Sequence, residues 1–220
     1  MVYSDVSAKE MGDRITVTVT DAFGDVVTTQ SLSVADRFKD ILATSEDQMI
    51  INLCVDALNY GAAAQARFGY NTDKPVNSGI DAESTTTEGV WENSLTITAG
   101  YEDKYAASAS LKEKLELNMY FDVDCANGIP PVTVSGAVSH VVGTVTNGTK
   151  EILKVALKEI APKDAKNPIS VTVEADEGTI EVTDSLAGYL VRSSSVRDQQ
   201  VVAALKRYID AAIALANQAG

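Results

Sequence analysis

The residues best suited to ligand chemistry are Trp91, Glu92 and Asn93 in Glu88-Gly-Val-Trp-Glu-Asn93, with Tyr101 and Tyr105 in Gly100-Tyr-Glu-Asp-Lys-Tyr105. Aromatic faces stack on the C–H surfaces of sugars while carboxylates and amides bond hydroxyls, so this loop surface is the candidate for carbohydrate binding. The competing reading is that Trp91 fills a small core with its N–H satisfied nearby. His140 is the only histidine, its neighbours alternate as a strand, and no Gly-x-Ser-x-Gly elbow accompanies it, so a hydrolytic triad is not expected. Asp122 and Asp124 have the chemistry of a glycosidase pair but sit as close acids in a turn, with nothing marking a cleft.

Asp122-Val-Asp-Cys-Ala-Asn-Gly128 imitates the start of a calcium loop. An EF-hand wants an oxygen ligand at its fifth position and glycine at its sixth, where this chain has Ala126 and Asn127. Two cysteines and one histidine cannot build a structural zinc site without carboxylates. Cys54 falls on an apolar helix stripe and Cys125 in a loop, and both read as unpaired thiols. No metal, cofactor or catalytic residue is therefore expected, and the chain reads as a non-enzyme.

The elements that position these residues are more legible. Ile50, Leu53, Cys54, Ala57, Leu58, Gly61, Ala64 and Phe68 recur at three- and four-residue steps, the period of a helix with one buried face. Gly61 and the alanines beside it permit close approach of another backbone, and Gly69 supplies the stop. Ahead of this helix lie a short strand at Val2 to Asp5, a tight connection at Ala8 to Asp13, a hairpin of Ile15 to Val19 with Asp25 to Thr28, and a helix from Ser33 to Ala43. This unit recurs at an offset of 154 residues (Ile15 to Ile169), with Gly24 on Gly178, Val26 on Ile180 and Ser31-Leu32 on Ser185-Leu186, no gap being needed across that region. After a deletion of about six residues between the helices, Leu53, Ala57, Tyr60 and Ala64 match Val201, Leu205, Tyr208 and Ala212.

Between the copies, Ser94 to Thr98, Leu115 to Phe121 and Val132 to Ser135 alternate as strands. Asn147-Gly148 marks a two-residue hairpin turn. The expected class is α+β: antiparallel β-sheets covered by helical hairpins, with a duplicated β-hairpin plus two-helix unit. The expected division is 1–80, a truncated first unit, and 88–220, a more complete β-rich unit ending in a helix pair. The first hairpin then lacks partners. Its upstream strands are missing, or Val2 to Val27 joins the sheet of the second copy, or another subunit completes it by strand addition.

Leu58-Asn-Tyr-Gly-Ala-Ala-Ala-Gln65, Phe68-Gly-Tyr-Asn-Thr-Asp73 and Asn77 resemble a signature in large secreted or surface-attached proteins of gut and rumen Clostridia. The blocks Ala8 to Asp13 and Ser110 to Phe121 are similar to flanking blocks of that family. The resemblance implies a module lying beside immunoglobulin-like, dockerin or cell-wall-anchoring modules, and it brings no catalytic residues. It places the chain outside the cell or on its surface.

Composition agrees with that setting. The 220 residues carry a formal charge of −13, which repels phosphate backbones and anionic membranes, so nucleic acid is not an expected partner. No stretch reaches the length of a membrane span, and Met1-Val-Tyr-Ser lacks the start of a signal peptide. The functional expectation is a structural or adhesion module whose partners are other modules of a larger protein. The alternatives are glycan binding and self-assembly into homo-oligomers by strand addition.

Overall fold

The computed structural model describes residues 6–111, 114–136, 138–193 and 198–219; the strand expected at residues 2–5 lies outside them. A 3-10 turn, Ala8–Glu10, leads into β1 (Ile15–Thr20), β2 (Val26–Leu32), α1 (Val34–Thr44) and α2 (Gln48–Phe68). Each boundary has a local cause. The Asp21 carboxylate closes the hairpin turn by accepting the N–H groups of Phe23 (2.9 Å) and Asp25 (3.0 Å). Ser33 and Asp36 cap α1 reciprocally, side chain to backbone, at 3.0 and 3.2 Å. Asp47 caps α2, and Gly69 ends it in the left-handed region at φ 64°, the stop expected for it.

The glycine inside α2 has a packing reason. A Cβ on Gly61 would lie 2.8 Å from Val76 Cγ2, 3.0 Å from Met11 Sδ and 3.1 Å from the Ala8 carbonyl oxygen. The 3-10 turn and the loop after α2 therefore both close on this point. Around it, the Tyr70 hydroxyl donates to the Asp13 carboxylate at 2.5 Å, and Lys9 Nζ lies 5.0 Å from the Tyr70 ring centroid. Buried Gln65 accepts the Val76 N–H at 2.9 Å, and Asn77 donates to Asn59 at 2.9 Å. The two sequence blocks Ala8 to Asp13 and Leu58 to Asn77 thus meet as one packed structure.

The chain continues through β3 (Thr96–Ile97), a 3-10 turn Glu102–Lys104, β4 (Tyr105–Ser110), β5 (Glu116–Asp124), β6 (Val132–Ser135), β7 (Ser139–Asn147) and β8 (Lys150–Lys158). A 3-10 turn Pro162–Asp164 precedes β9 (Ile169–Ala175), β10 (Gly178–Asp184), α3 (Leu186–Arg192) and α4 (Gln199–Ala219). Every pairing is antiparallel, in sheets of order β1-β2, β3-β10-β9-β6 and β4-β5-β8-β7. The class is α+β, as expected. Three details differ from the sequence reading. The strand expected over Ser94 to Thr98 is reduced to two residues, and β4 was not foreseen, because Ala and Ser carry little strand preference. Asn147 pairs with Lys150, so the tight turn is Gly148 and Thr149, with Gly148 at φ 64° in its first position.

The duplication is visible in the backbone. Residues 8–10 and 162–164 form the same 3-10 turn at the 154-residue offset, closed by Met11 N–H to Ala8 and Ala165 N–H to Pro162. From each turn the same tertiary bond runs to the following helix: Ala35 N–H to the Met11 carbonyl at 2.8 Å, and Ala187 N–H to the Ala165 carbonyl at 2.9 Å. Ser33 and Ser185 cap the paired helices alike. These equivalences correct the ungapped alignment. Ile15 pairs with Leu32, and Ile169 with Asp184, so the second strands are related by 152 residues (184 less 32). One of the two extra residues is Val27, bulged out between the Val19–Thr28 and Thr20–Val26 pairs, and the other lies in the turn, where five residues separate Thr20 from Val26 but four separate Glu174 from Thr179. Thr28, not Val26, is the equivalent of Ile180.

The chain forms two compact units, residues 1–88 with 198–220, and residues 89–197. α4 groups with the first unit, whereas the sequence reading placed it in the span 88–220. The physical reason is its seam with α2. Tyr60 and Tyr208, equivalent positions in the repeat, stack on each other with centroids 6.0 Å apart. Ala57, Leu58, Ala64, Leu205 and Ile209 are fully buried in this unit. Arg67 pairs with Asp198 and Arg207 with Asp56. The second unit has its own core, formed by Leu117, Met119, Phe121, Leu153, Val155 and Leu157 of one sheet and Ile169, Val171, Val173, Ile180 and Val182 of the other. Burying each such side chain is worth about 1.5–3 kcal/mol.

Candidate functional site

The five residues selected from the sequence do not converge. Trp91 and Glu92 line an open cleft in the second unit with Val90, Ser94, Lys166 and Ser185. Lys166 Nζ stands 4.7 Å from the Trp91 ring centroid, a cation on the face that a sugar would need. Asn93 is already engaged, its carbonyl oxygen accepting from Arg192 at 2.6 Å and from the Leu95 N–H at 3.1 Å. Tyr101 lies in a different cleft with Lys104, Asp122, Asp124 and Glu177, where its hydroxyl donates to the Glu177 carbonyl at 2.8 Å.

Tyr105 is a half-buried residue of β4 and not part of a loop surface. Its ring meets Phe121 edge-on at 5.9 Å, and its hydroxyl donates to Asp184 at 3.2 Å. Burial, reinforced by the Asp184 charge, pushes its ionisation well above the usual tyrosine range. Asp184, itself fully buried, accepts from both Arg192 guanidinium nitrogens and from the Ser185 N–H at 2.8 Å, with Ser94 Oγ at 3.4 Å. This is a satisfied charge cluster that locks α3 to β10, and it leaves no lone pair aimed at a cleft.

A second buried acid has the same character. Asp56 accepts from Ser84 (2.7 Å), Thr86 (2.5 Å) and Arg207 (3.3 Å), tying the segment after α2 to α4. Sequence reading missed both clusters: Arg207 stands far in the chain from Asp56 and Tyr105 from Asp184, and Arg192, only eight positions from Asp184, was not read as its partner. The one available signal was an aspartate inside the apolar run of α2.

The remaining candidates are structural by geometry. His140 is exposed on β7 opposite Leu157. Asp124 caps its own turn by accepting the Ala126 N–H at 2.9 Å, and Asp122 faces Lys150 at 3.9 Å. Among the described residues, no three His, Cys, Asp or Glu side chains are gathered as metal ligands. Cys54 and Cys125 are separate buried thiols. Burial raises the pKa of each, Asp124 and Glu151 adding to the effect at Cys125, so neither is an activated nucleophile.

The feature that stands apart is the first hairpin. β9 and β10 bury alternate side chains between β3 and β6, as a half-covered sheet should. Their repeat equivalents β1 and β2 pair only with each other among the described residues, and most of their side chains are exposed. Phe23 at the turn is 93% exposed, Val27 65%, Val26 64% and Val19 47%. Leu32, exposed at the position of buried Asp184, completes the contrast. Among the described residues, β1 and β2 pair with no strand of the second copy's sheet, unlike the alternative in which Val2 to Val27 joins it. A two-stranded ribbon with apolar residues outward is marginal by itself and presents free edge donors and acceptors. No protein-family model, curated protein or solved structure matches the chain.

Proposed function

We propose that the chain is a non-catalytic structural and docking module of an exported or surface-attached bacterial protein, and that its first hairpin is the surface it offers to a neighbouring protein strand. One observation carries the reading: two copies of the same hairpin, one enclosed in a four-stranded sheet and the other bare with Phe23, Val26, Val27 and Leu32 in solvent. Exposed apolar side chains gathered on one element mark an interaction surface. The acidic surface and the resemblance of residues 58–77 support the extracellular setting. The buried carboxylates of Asp56 and Asp184 are held in satisfied clusters, which suits a scaffold.

The test has two parts. Val26→Thr with Val27→Thr changes stability by no more than about 0.5 kcal/mol in urea melts if the face is open. A loss of several kcal/mol would show that the chain already buries it, and the docking reading would fall. Reproducible turnover of a glycan, peptide or ester that one substitution abolishes would remove the non-catalytic claim. Glycan binding remains a second reading, supported by the Trp91 cleft with Glu92 and Lys166 at its wall. It requires a hit on a glycan panel that Trp91→Ala removes and Tyr101→Ala does not.

A further inference from the structure

We infer that the open edge of β1 is completed by β1 of a second copy of this chain, paired antiparallel about Thr18. This rests on the docking reading above and names its partner. The enclosed hairpin supplies the template. The outer edge of β9 is covered by β6, with Val132 opposite Val173, Thr133 opposite Thr172, Val134 opposite Val171 and Ser135 opposite Ser170. Valine meets valine, and hydroxyl meets hydroxyl. β1 is the repeat equivalent of β9, yet its Val17-Thr-Val-Thr20 also has the order of side-chain types found in Val132-Thr-Val-Ser135. The same strand carries both the edge that receives and the pattern that is received.

Moving the β6–β9 register through the 154-residue offset sets Val17 of one copy opposite Val19 of the other, and Thr18 opposite Thr18. Such pairing is isologous and closes after two chains. It keeps both copies' Ile15, Val17 and Val19 on one face, since opposite residues in a ladder share a side. The backbone polarity also agrees. Glu174 donates its N–H to the Pro131 carbonyl at 3.0 Å, so even-numbered residues of β9 direct donors toward β6. Their equivalents Thr16 and Thr18 direct donors to the open edge of β1.

β1 itself carries no charge, so the ladder sets no like charges opposite one another. About five residue pairs bury less than the ~1,200 Å² of a standard stable interface, so the dimer is weak and forms at high protein concentration.

The test is site-directed crosslinking of the full chain. Thr18→Cys places two thiols across the dyad at a Cα separation of about 5.5 Å, within disulfide reach. Thr29→Cys is the control: Thr29 lies opposite Thr18 in the same hairpin and is equally exposed, but on β2. Cys54 and Cys125 are buried and do not compete. In a glutathione buffer Thr18→Cys is expected to form covalent dimer at least ~10-fold faster than Thr29→Cys, the advantage of thiols held in register over thiols meeting by diffusion. Equal rates would overturn self-pairing. A peptide of residues 131–136 separates the two levels of the account. If the rates are equal and the peptide protects β1 amides, another strand is the partner and the docking reading stands. If the rates are equal and the peptide does not bind, both fall.

Discussion

Asp184 is where single side chains decide most. Its carboxylate is fully buried and satisfied by Arg192, Tyr105 and the Ser185 backbone, so Asp184→Ala leaves the Arg192 guanidinium without its main partner. The expected loss is about 3–5 kcal/mol, read from the urea midpoint, with fluorescence reporting the second unit's core. A change under about 1 kcal/mol would mean that the cluster is hydrated. Gly61 gives a second test at this scale. Gly61→Ala drives a Cβ into Val76, Met11 and the Ala8 carbonyl and is expected to cost about 1–3 kcal/mol, whereas Gly143→Ala, with nothing within 4 Å, is not. The need for a small residue at Gly61 was legible in the sequence, because it interrupts an apolar helical stripe. Asp184 and Asp56 were not: a buried acid is explained only by partners such as Arg207, 151 positions from Asp56. Tyr105 was misread for a related reason, its Ala- and Ser-rich strand giving no periodic apolar signal.

At the level of elements, α2 and α4 form the seam that the repeat arithmetic could not place. The alignment puts Tyr60 and Tyr208 at equivalent positions and assigns both to the packing of a helix on a sheet, which the structure corrects. The structure stacks them on each other, so the terminal helix completes the first unit. Deleting residues 198–220 is therefore expected to open Cys54, which is buried beside Tyr208, to a thiol reagent while Cys125 stays slow. In the intact chain neither thiol is expected to react readily at pH 8. Each native pKa is raised, so the protonated, folded form is favoured up to the ordinary thiol range; that contribution is lost as pH rises through the higher native pKa. Fast reaction of Cys54 in the intact protein would contradict the seam. The hairpins themselves were well marked by Val/Thr alternation and by their turns. The two-residue difference between the hairpins was hidden, because Gly24 and Gly178 align without a gap although Gly24 lies in a turn and Gly178 opens β10.

For the whole molecule, the account rests on an asymmetry between copies of one supersecondary unit. The second hairpin lies between β3 and β6, while among the described residues the first, two residues longer, pairs only within itself. Sequence reading recognised that the first hairpin lacked partners but left three ways to supply them, since register and sheet order are not written in local periodicity. The most direct measurement is amide hydrogen exchange on the intact chain at about 1 µM and about 500 µM, comparing residues 15–32 with 169–184. At the low concentration the first hairpin is expected to exchange within seconds to minutes while the second stays protected for hours, and at the high concentration protection appears in β1 but not in β2. Equal protection of the two hairpins at both concentrations would contradict the open edge, and with it the central claim.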